Sequence, residues 1–88
     1  MQINLESYSF YIKPNFTDMR KSARTLAYIV QDEMGLKPFE KSVFVFCGKT
    51  KRLIKAIVWD ENGWIEIIKR LESPGTFRWP ESEQEALS

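Results

Sequence analysis

One segment of this chain repeats its apolar residues with the spacing of an α-helix, whereas its other hydrophobic segments have the composition of β-strands. The helical stripe runs from Met19 to Met34 in steps of three and four residues. Thr17 or Asp18 is placed to cap the start of this helix, and Gly35 is placed to end it in a left-handed conformation. A single amphipathic helix needs a sheet to cover its apolar stripe, which predicts an α+β fold.

Five segments have strand-like composition. They are residues 8–12, 43–47, 53–59, 64–71 and 76–79. The second is an uninterrupted apolar run, which is typical of a central strand covered on both faces. The third and fourth flank Asp60-Glu61-Asn62-Gly63, which predicts a hairpin with either positive φ at Gly63 or a primed turn at Asn62-Gly63. The fifth precedes Pro80, which lacks a backbone donor, so we expect a short edge strand there.

The predicted architecture is one main helix packed on a small twisted antiparallel sheet of about four to five strands, with a meander after the helix. The 88 residues of the chain are enough for one hydrophobic core. Residues 81–88 contain three glutamates and no basic residue, which leaves residues 1–80 with 13 basic and nine acidic residues. The sequence therefore predicts a single, mildly basic domain over residues 1–80 and an acidic, disordered tail over residues 81–88.

The cysteine content and the apolar runs bear on the location of the protein. Cys47 is the one cysteine, so neither an intrachain disulfide nor a cysteine metal cluster can form. No apolar run approaches the roughly 20 residues that span a bilayer. The segment Met1-Gln2-Ile3-Asn4 also lacks the basic residues of an export signal. These features favour a cytoplasmic protein that does not enter a membrane.

The inventory of catalytic side chains is poor. The chain has no histidine, which removes Ser-His and Cys-His pairs and the commonest metal ligand. A free cysteine inside an apolar run, such as Cys47, usually packs as a small hydrophobe. Asp18, Asp60 and Glu66 are the conceivable ligands for Mg²⁺ in a nuclease, although capping and turn formation explain the first two. We therefore expect no enzymatic activity and no cofactor.

Basic residues crowd the turn between the second and third predicted strands. Cations on such a turn reach phosphates, and neighbouring aromatic rings stack on unpaired bases. The candidate residues for binding DNA or a protein partner are Arg20, Lys21, Arg24, Lys49, Lys51, Arg52, Lys55, Lys69, Arg70 and Arg78. Two alternatives stay open: the cations form a solubilising edge that prevents strand aggregation, or those near the helix start form a solvated face with Asp18.

The three tryptophans suggest different roles. Trp59 and Trp64 flank the predicted hairpin turn, where a cross-strand aromatic pair stabilises the two strands. Trp79 lies beside Pro80, where it either closes the core or contacts a partner.

An ordered set of short motifs extends from residue 8 to residue 80. The motifs are Thr17-Asp18-Met19-Arg20-Lys21, Val45-Phe46 with Gly48, Ile54-Lys55, Trp59-Asp60, Gly63, Lys69-Arg70-Leu71-Glu72, and Phe77 with Trp79-Pro80. In this order they resemble the TnpB-like (Orf2-like) accessory proteins of bacterial insertion sequences of the IS66 class. No single motif is specific, but the ordered set is.

The resemblance implies a small protein that is encoded beside a separate transposase and is needed for transposition in at least some elements. It adds weight to the basic residues within the motifs as contacts to DNA or to the transposase; these are Arg20, Lys21, Lys55, Lys69 and Arg70. The chain departs from the family pattern at Ser22, often glycine, at Cys47, commonly arginine, and at Leu53, often basic. Its turn is therefore less basic than in many relatives.

The leading hypothesis is a nonenzymatic accessory protein of transposition that binds DNA, the transposase, or both through a basic face. One alternative is a protein-interaction module without nucleic-acid binding. The other is a metal-dependent nuclease.

Overall fold

Four strands and two helices follow each other along the chain. The computed structural model describes residues 4–87, so Met1 to Ile3 and Ser88 of the predicted domain and tail lie outside the described residues. The elements are β1 (Ser9–Ile12), α1 (Ala23–Asp32), β2 (Ser42–Cys47), β3 (Leu53–Asp60), β4 (Gly63–Arg70) and α2 (Glu83–Leu87). Neither helix in this part of the chain is long and apolar enough to cross a membrane.

The strands form one sheet in the order β1-β2-β3-β4. The predicted α+β fold is confirmed, with one difference in strand direction. β2, β3 and β4 pair antiparallel, but β1 pairs with β2 in parallel, with Ser9 opposite Ser42. The reason is that α1 carries the chain back along the sheet, so that β2 starts at the same end as β1.

The hydrophobic core lies between α1 and one face of the sheet. Leu26 and Val30 on the helix and Phe44 on β2 are fully buried. The remaining members of this buried cluster are Ala23, Ala27, Phe46 and Ile57. β2 lies between β1 and β3 and has buried residues on both faces, as predicted for a central strand.

The main helix starts later than predicted. Its first residue is Ala23, and the N-cap is Ser22, whose Oγ accepts the backbone N–H of Thr25 at 3.3 Å. Asp18 does not cap the helix, because its Oδ1 accepts the backbone N–H of Arg20 and holds a separate turn. Arg20 and Lys21 therefore precede the helix instead of opposing its dipole from the first turns.

The end of α1 agrees with the prediction. Gly35 has a φ of 66°, in the left-handed region that a residue with a side chain rarely adopts. This reversal lets the backbone N–H of Leu36 donate to the carbonyl of Val30 at 3.1 Å. The chain then leaves the helix and enters β2.

The predicted edge strand at residues 76–79 is absent from the structure, which has irregular backbone there. Individual hydrogen bonds hold the segment: Phe77 N–H donates to the carbonyl of Lys51, and the Pro80 carbonyl accepts Asn15 N–H. Trp79 is half-buried and its Nε1 donates to the carbonyl of Lys13 at 2.9 Å. This segment thus runs across one end of the sheet and does not pair along its edge.

A short helix, α2, lies within the acidic segment that was predicted to be disordered. Ser82 Oγ accepts the N–H of Glu85 at 3.1 Å, and Glu83 and Glu85 occupy the first turn, where negative charge suits the helix dipole. The disordered tail over residues 81–88 and its boundary at residue 80 both stay predictions.

The β3–β4 hairpin is confirmed, and Trp59 pairs with Trp64 across it with ring centroids 5.1 Å apart. Its backbone geometry differs from both predicted turns. Glu61, not Gly63, has positive φ, at 52°.

Replacing Glu61 with glycine should raise the free energy of unfolding by about 0.5 to 1 kcal/mol, because glycine adopts the left-handed conformation without strain. Urea denaturation followed by tryptophan fluorescence measures the change. Glu72→Gly is the control, because Glu72 is an exposed loop glutamate outside the left-handed region. A lower stability for Glu61→Gly would contradict the prediction.

Candidate nucleic-acid interface

The topology gathers three separate segments at one end of the sheet. β1, β2 and β4 end there, β3 begins there, and the chain also enters α1 from this end. The backbone N–H of Thr17 donates to the carbonyl of Cys47, and that of Phe77 donates to the carbonyl of Lys51. We define segments 13–24, 48–55 and 69–80 as the basic end.

The charges of the chain are segregated by this arrangement. Eleven of the 13 lysines and arginines belong to the basic end, including all ten candidate residues named from the sequence. The same segments contain two acidic residues, Asp18 and Glu72. Lys37 and Lys41 are the other basic residues, and they lie between α1 and β2. The formal net charge of +1 therefore conceals a cationic end, which two glutamates from outside these segments, Glu66 and Glu81, approach at Lys55 and Lys51.

Lys55 does not belong to the exposed part of this end. Its residue is 7% exposed, and Nζ donates to the carbonyl of Lys21 at 3.0 Å and lies 3.5 Å from Glu66 Oε1. The side chain joins β3, β4 and the segment before α1. The segment before α1 therefore covers the Lys55 ammonium, and the role of Lys55 in binding stays a prediction.

Arg52 is occupied by the backbone of the segment that follows β4. Its guanidinium donates to the carbonyls of Leu71, Ser73 and Gly75 at 2.9, 3.1 and 2.6 Å. These bonds curl residues 71–75 around one side chain, which explains why the next residues do not extend as a strand. The role of Arg52 is thus to hold the backbone of residues 71–75 at the basic end through charge-assisted hydrogen bonds.

The other two lysines of the turn differ in their surroundings. Lys51 has a φ of 59°, and its Nζ lies 3.7 Å from the Glu81 carboxylate. Lys49 is exposed, and its Nζ lies 5.9 Å from the centroid of the Phe16 ring. Of the four basic residues in the turn, Lys49 is thus the one that projects from the domain without a carboxylate among the residues described.

Arg20 is held by Asp18 beside the start of the helix. Arg20 Nε and Nη2 donate to the two carboxylate oxygens of Asp18 at 3.0 and 2.9 Å. These hydrogen bonds, with the backbone N–H of Arg20, lower the pKa of Asp18 to about 2. The alternative in which Asp18 is a local partner therefore holds for Arg20.

Arg24, Lys69, Arg70 and Arg78 are exposed at the basic end. Among residues 4–87, no carboxylate forms an ion pair with any of these four side chains. Their charges are available to an external anion.

Close packing explains why a glycine, Gly48, belongs to the motif after β2. A Cβ at this position would lie 2.9 Å from Met19 Cγ, because the turn after β2 packs directly on the segment before α1. Two motifs that are far apart in the sequence thus meet in the structure.

Phe16 is a further candidate residue, which neither the basic turn nor the motifs indicated. This aromatic residue lies at the basic end and is 54% exposed. The available signal was its place after Pro14-Asn15, a turn-forming pair, and outside the apolar stripe of the helix.

The residues considered for catalysis are not brought together. Cys47 is 1% exposed, and burial raises the pKa of its thiol, which disfavours the nucleophilic thiolate. Asp18 precedes α1 at the basic end, whereas Asp60 ends β3 at the opposite end of the sheet. Within the described part of the chain, no group of three His, Cys, Asp or Glu side chains is arranged to hold a metal ion.

Comparisons with known proteins agree with the motif resemblance. The family model described as "IS66 Orf2 like protein" (TnpB_IS66) matches residues 8–88. An uncharacterized protein, y4hO, of Sinorhizobium fredii (strain NBRC 101917 / NGR234) is 37% identical over 78 residues, which cover 89% of this chain and 67% of that protein. No solved structure matches the chain. The chain therefore belongs to the IS66 Orf2-like family of insertion-sequence accessory proteins.

Proposed function

We propose that this accessory protein acts without catalysis by binding the phosphate backbone of DNA with its basic end. The observation that carries the proposal is the segregation of eleven basic residues against two acidic ones in segments 13–24, 48–55 and 69–80. Such a surface attracts a polyanion and releases its counterions on binding. The proposed location is the cytoplasm of a bacterial cell, where the insertion sequence and its transposase meet.

The distribution of these cations supports binding over a purely solubilising role. Residues that protect a sheet from aggregation lie along its edge strands. β1 is an edge strand without lysine or arginine, and β4 carries Lys69 and Arg70 only at its last two positions. The cations gather where the strands end, which suits an external ligand better than edge protection.

The exposed residues of the basic end are the proposed contacts. Arg24, Lys49, Lys69, Arg70 and Arg78 supply phosphate contacts, with Arg20 and Lys21 beside them. Arg52 and Lys55 act indirectly, since their charged groups are bonded inside the domain.

A matched pair of double variants tests the proposal. Arg24→Gln with Lys49→Gln removes two charges from the basic end, and Lys37→Gln with Lys41→Gln removes two charges elsewhere. Fluorescence anisotropy with labelled terminal-repeat duplex, between about 50 and 200 mM salt, gives the salt dependence of the affinity. We expect the first double variant to reduce the slope of log K against log salt by about 1.8, and the second to leave it unchanged.

Two results would contradict DNA binding by this surface. One is the absence of any binding to duplex or single-stranded DNA at about 50 mM salt. The other is an equal effect of the two double variants. If the basic-end variant instead loses binding to the transposase of the element, the alternative of a protein-interaction module takes its place.

A further inference from the structure

Phe16 places an exposed aromatic ring within the cationic end of the domain. The residue is 54% exposed, and the Lys49 ammonium lies 5.9 Å from the ring centroid. The ring therefore presents its apolar surface to solvent beside a cation that the proposed function assigns to phosphate.

The backbone around Phe16 is held on both sides. Asn15 N–H donates to the carbonyl of Pro80 at 2.8 Å, and Thr17 N–H donates to the carbonyl of Cys47 at 2.8 Å. Asn15 is in the left-handed conformation, with φ of 66°, and its Oδ1 accepts the N–H of Phe16 at 2.9 Å. These bonds hold the backbone that carries the ring before any ligand arrives, which lowers the entropic cost of ordering the loop on binding.

Other exposed aromatic residues lie outside the basic end. Phe10 is on edge strand β1, Tyr28 is on α1, and Phe39 packs on Trp59 at a centroid distance of 4.9 Å. Phe77 and Trp79, which belong to the basic end, are half-buried. Among the described residues, Phe16 is therefore the aromatic side chain that combines high exposure with a cationic surrounding.

We propose that Phe16 stacks on an unpaired base of a DNA strand whose phosphates lie on the basic end, so that the protein prefers single-stranded or locally unpaired DNA to a continuous duplex. Stacking on an aromatic ring contributes about 1 to 3 kcal/mol per base and tolerates any base, because every base has a π face. A phenyl ring has no polar group that could recognise a base edge. In a continuous duplex the bases are stacked on each other and are not available to a protruding ring.

The inference rests on the proposed function but goes further, because phosphate binding alone predicts no need for an aromatic ring. The sharpest test compares the full chain with Phe16→Leu on two DNA ligands of equal length, one single-stranded and one duplex. A 2-aminopurine in the single strand reports stacking through its fluorescence. Tyr28→Leu is the control, because Tyr28 is similarly exposed, at 61%, but lies outside the basic end.

We expect Phe16→Leu to weaken single-strand binding about tenfold, equivalent to about 1.4 kcal/mol. The slope of affinity against salt should stay unchanged, since no cation is removed. The 2-aminopurine signal should be quenched by the native protein and by Phe16→Tyr, which retains a ring, but not by Phe16→Leu. Duplex affinity should change less than single-strand affinity, and Tyr28→Leu should behave as the native chain.

The two hypotheses fail in distinguishable ways. Unchanged single-strand affinity of Phe16→Leu, with salt-dependent binding intact, would overturn the stacking role and leave phosphate binding in place. Equal losses on single-stranded and duplex DNA, or failure of Phe16→Tyr to restore quenching, would also overturn it. Absence of salt-dependent binding to any DNA would remove both hypotheses together.

Discussion

Replacing Lys55 with alanine is expected to lower the free energy of unfolding by about 3 kcal/mol. The side chain is almost fully buried, and its ammonium donates to the carbonyl of Lys21. Truncation removes the packing of the aliphatic stem and leaves that carbonyl without its donor. Urea denaturation measures the loss, and Lys69→Ala, at an exposed site on β4, should cost less than about 0.5 kcal/mol.

Two further variants separate the contributions to the Lys55 effect. Lys55→Met keeps the buried aliphatic stem but not the ammonium, so its free energy of unfolding should lie between those of the native chain and of Lys55→Ala. Glu66→Gln should cost less than about 1 kcal/mol, because the Glu66 side chain is 40% exposed and its ion pair is screened by solvent. An equal cost for Lys55→Ala and Lys69→Ala would show that Lys55 is not buried in solution.

Lys55→Met also distinguishes the structural position from the surface role that the motifs implied. If its ammonium stays inside the domain, the folded variant should keep the salt dependence of DNA binding. If Lys55→Met reduced the slope of log K against log salt as much as the loss of an exposed lysine does, the burial of Lys55 would be contradicted.

Replacing Arg52 with alanine is expected to destabilise the protein by about 2 to 3 kcal/mol, because three carbonyls lose a charged donor. The carbonyls belong to Leu71, Ser73 and Gly75, so the loss should be concentrated after β4. Arg52→Lys should recover less than half of the stability, since an ammonium lacks the planar fork of the guanidinium. Arg70→Ala is the control, as Arg70 is exposed.

Hydrogen exchange locates the effect of Arg52→Ala. The N–H of Phe77, which donates to the carbonyl of Lys51, should exchange faster in the variant than in the native chain. Amides in β2 should exchange faster only to the extent that the global stability of the variant has fallen. If amide exchange at Phe77 and in β2 accelerated equally, in proportion to the loss of global stability, a local role for Arg52 would be contradicted.

The start of the main helix illustrates why a periodic pattern can extend beyond the element that it marks. Met19 continues the apolar stripe and packs against the core, yet it precedes α1 by four residues. Burial in the core is compatible with a helix or with a turn, so hydrophobic spacing alone could not place the boundary. Ser22 decided it through a side-chain bond to Thr25.

Two basic residues show a similar limit for the candidate site. In the structure, Lys55 lies on the same face of β3 as the buried Ile57. The carbonyl that accepts its ammonium belongs to Lys21, which is 34 residues away in the sequence. Arg52 likewise contacts carbonyls 19 to 23 residues further along the chain. Neither partner can be inferred from local composition.

Local periodicity, turn residues and ordered motifs were enough to predict the one-core α+β architecture, the central position of β2, the β3–β4 hairpin and the family membership. The direction of β1, the burial of Lys55 and the grouping of eleven cations at one end emerged only from the folded chain. Charge distribution and burial depend on which distant segments meet, and here backbone hydrogen bonds link segments 13–24, 48–55 and 69–80.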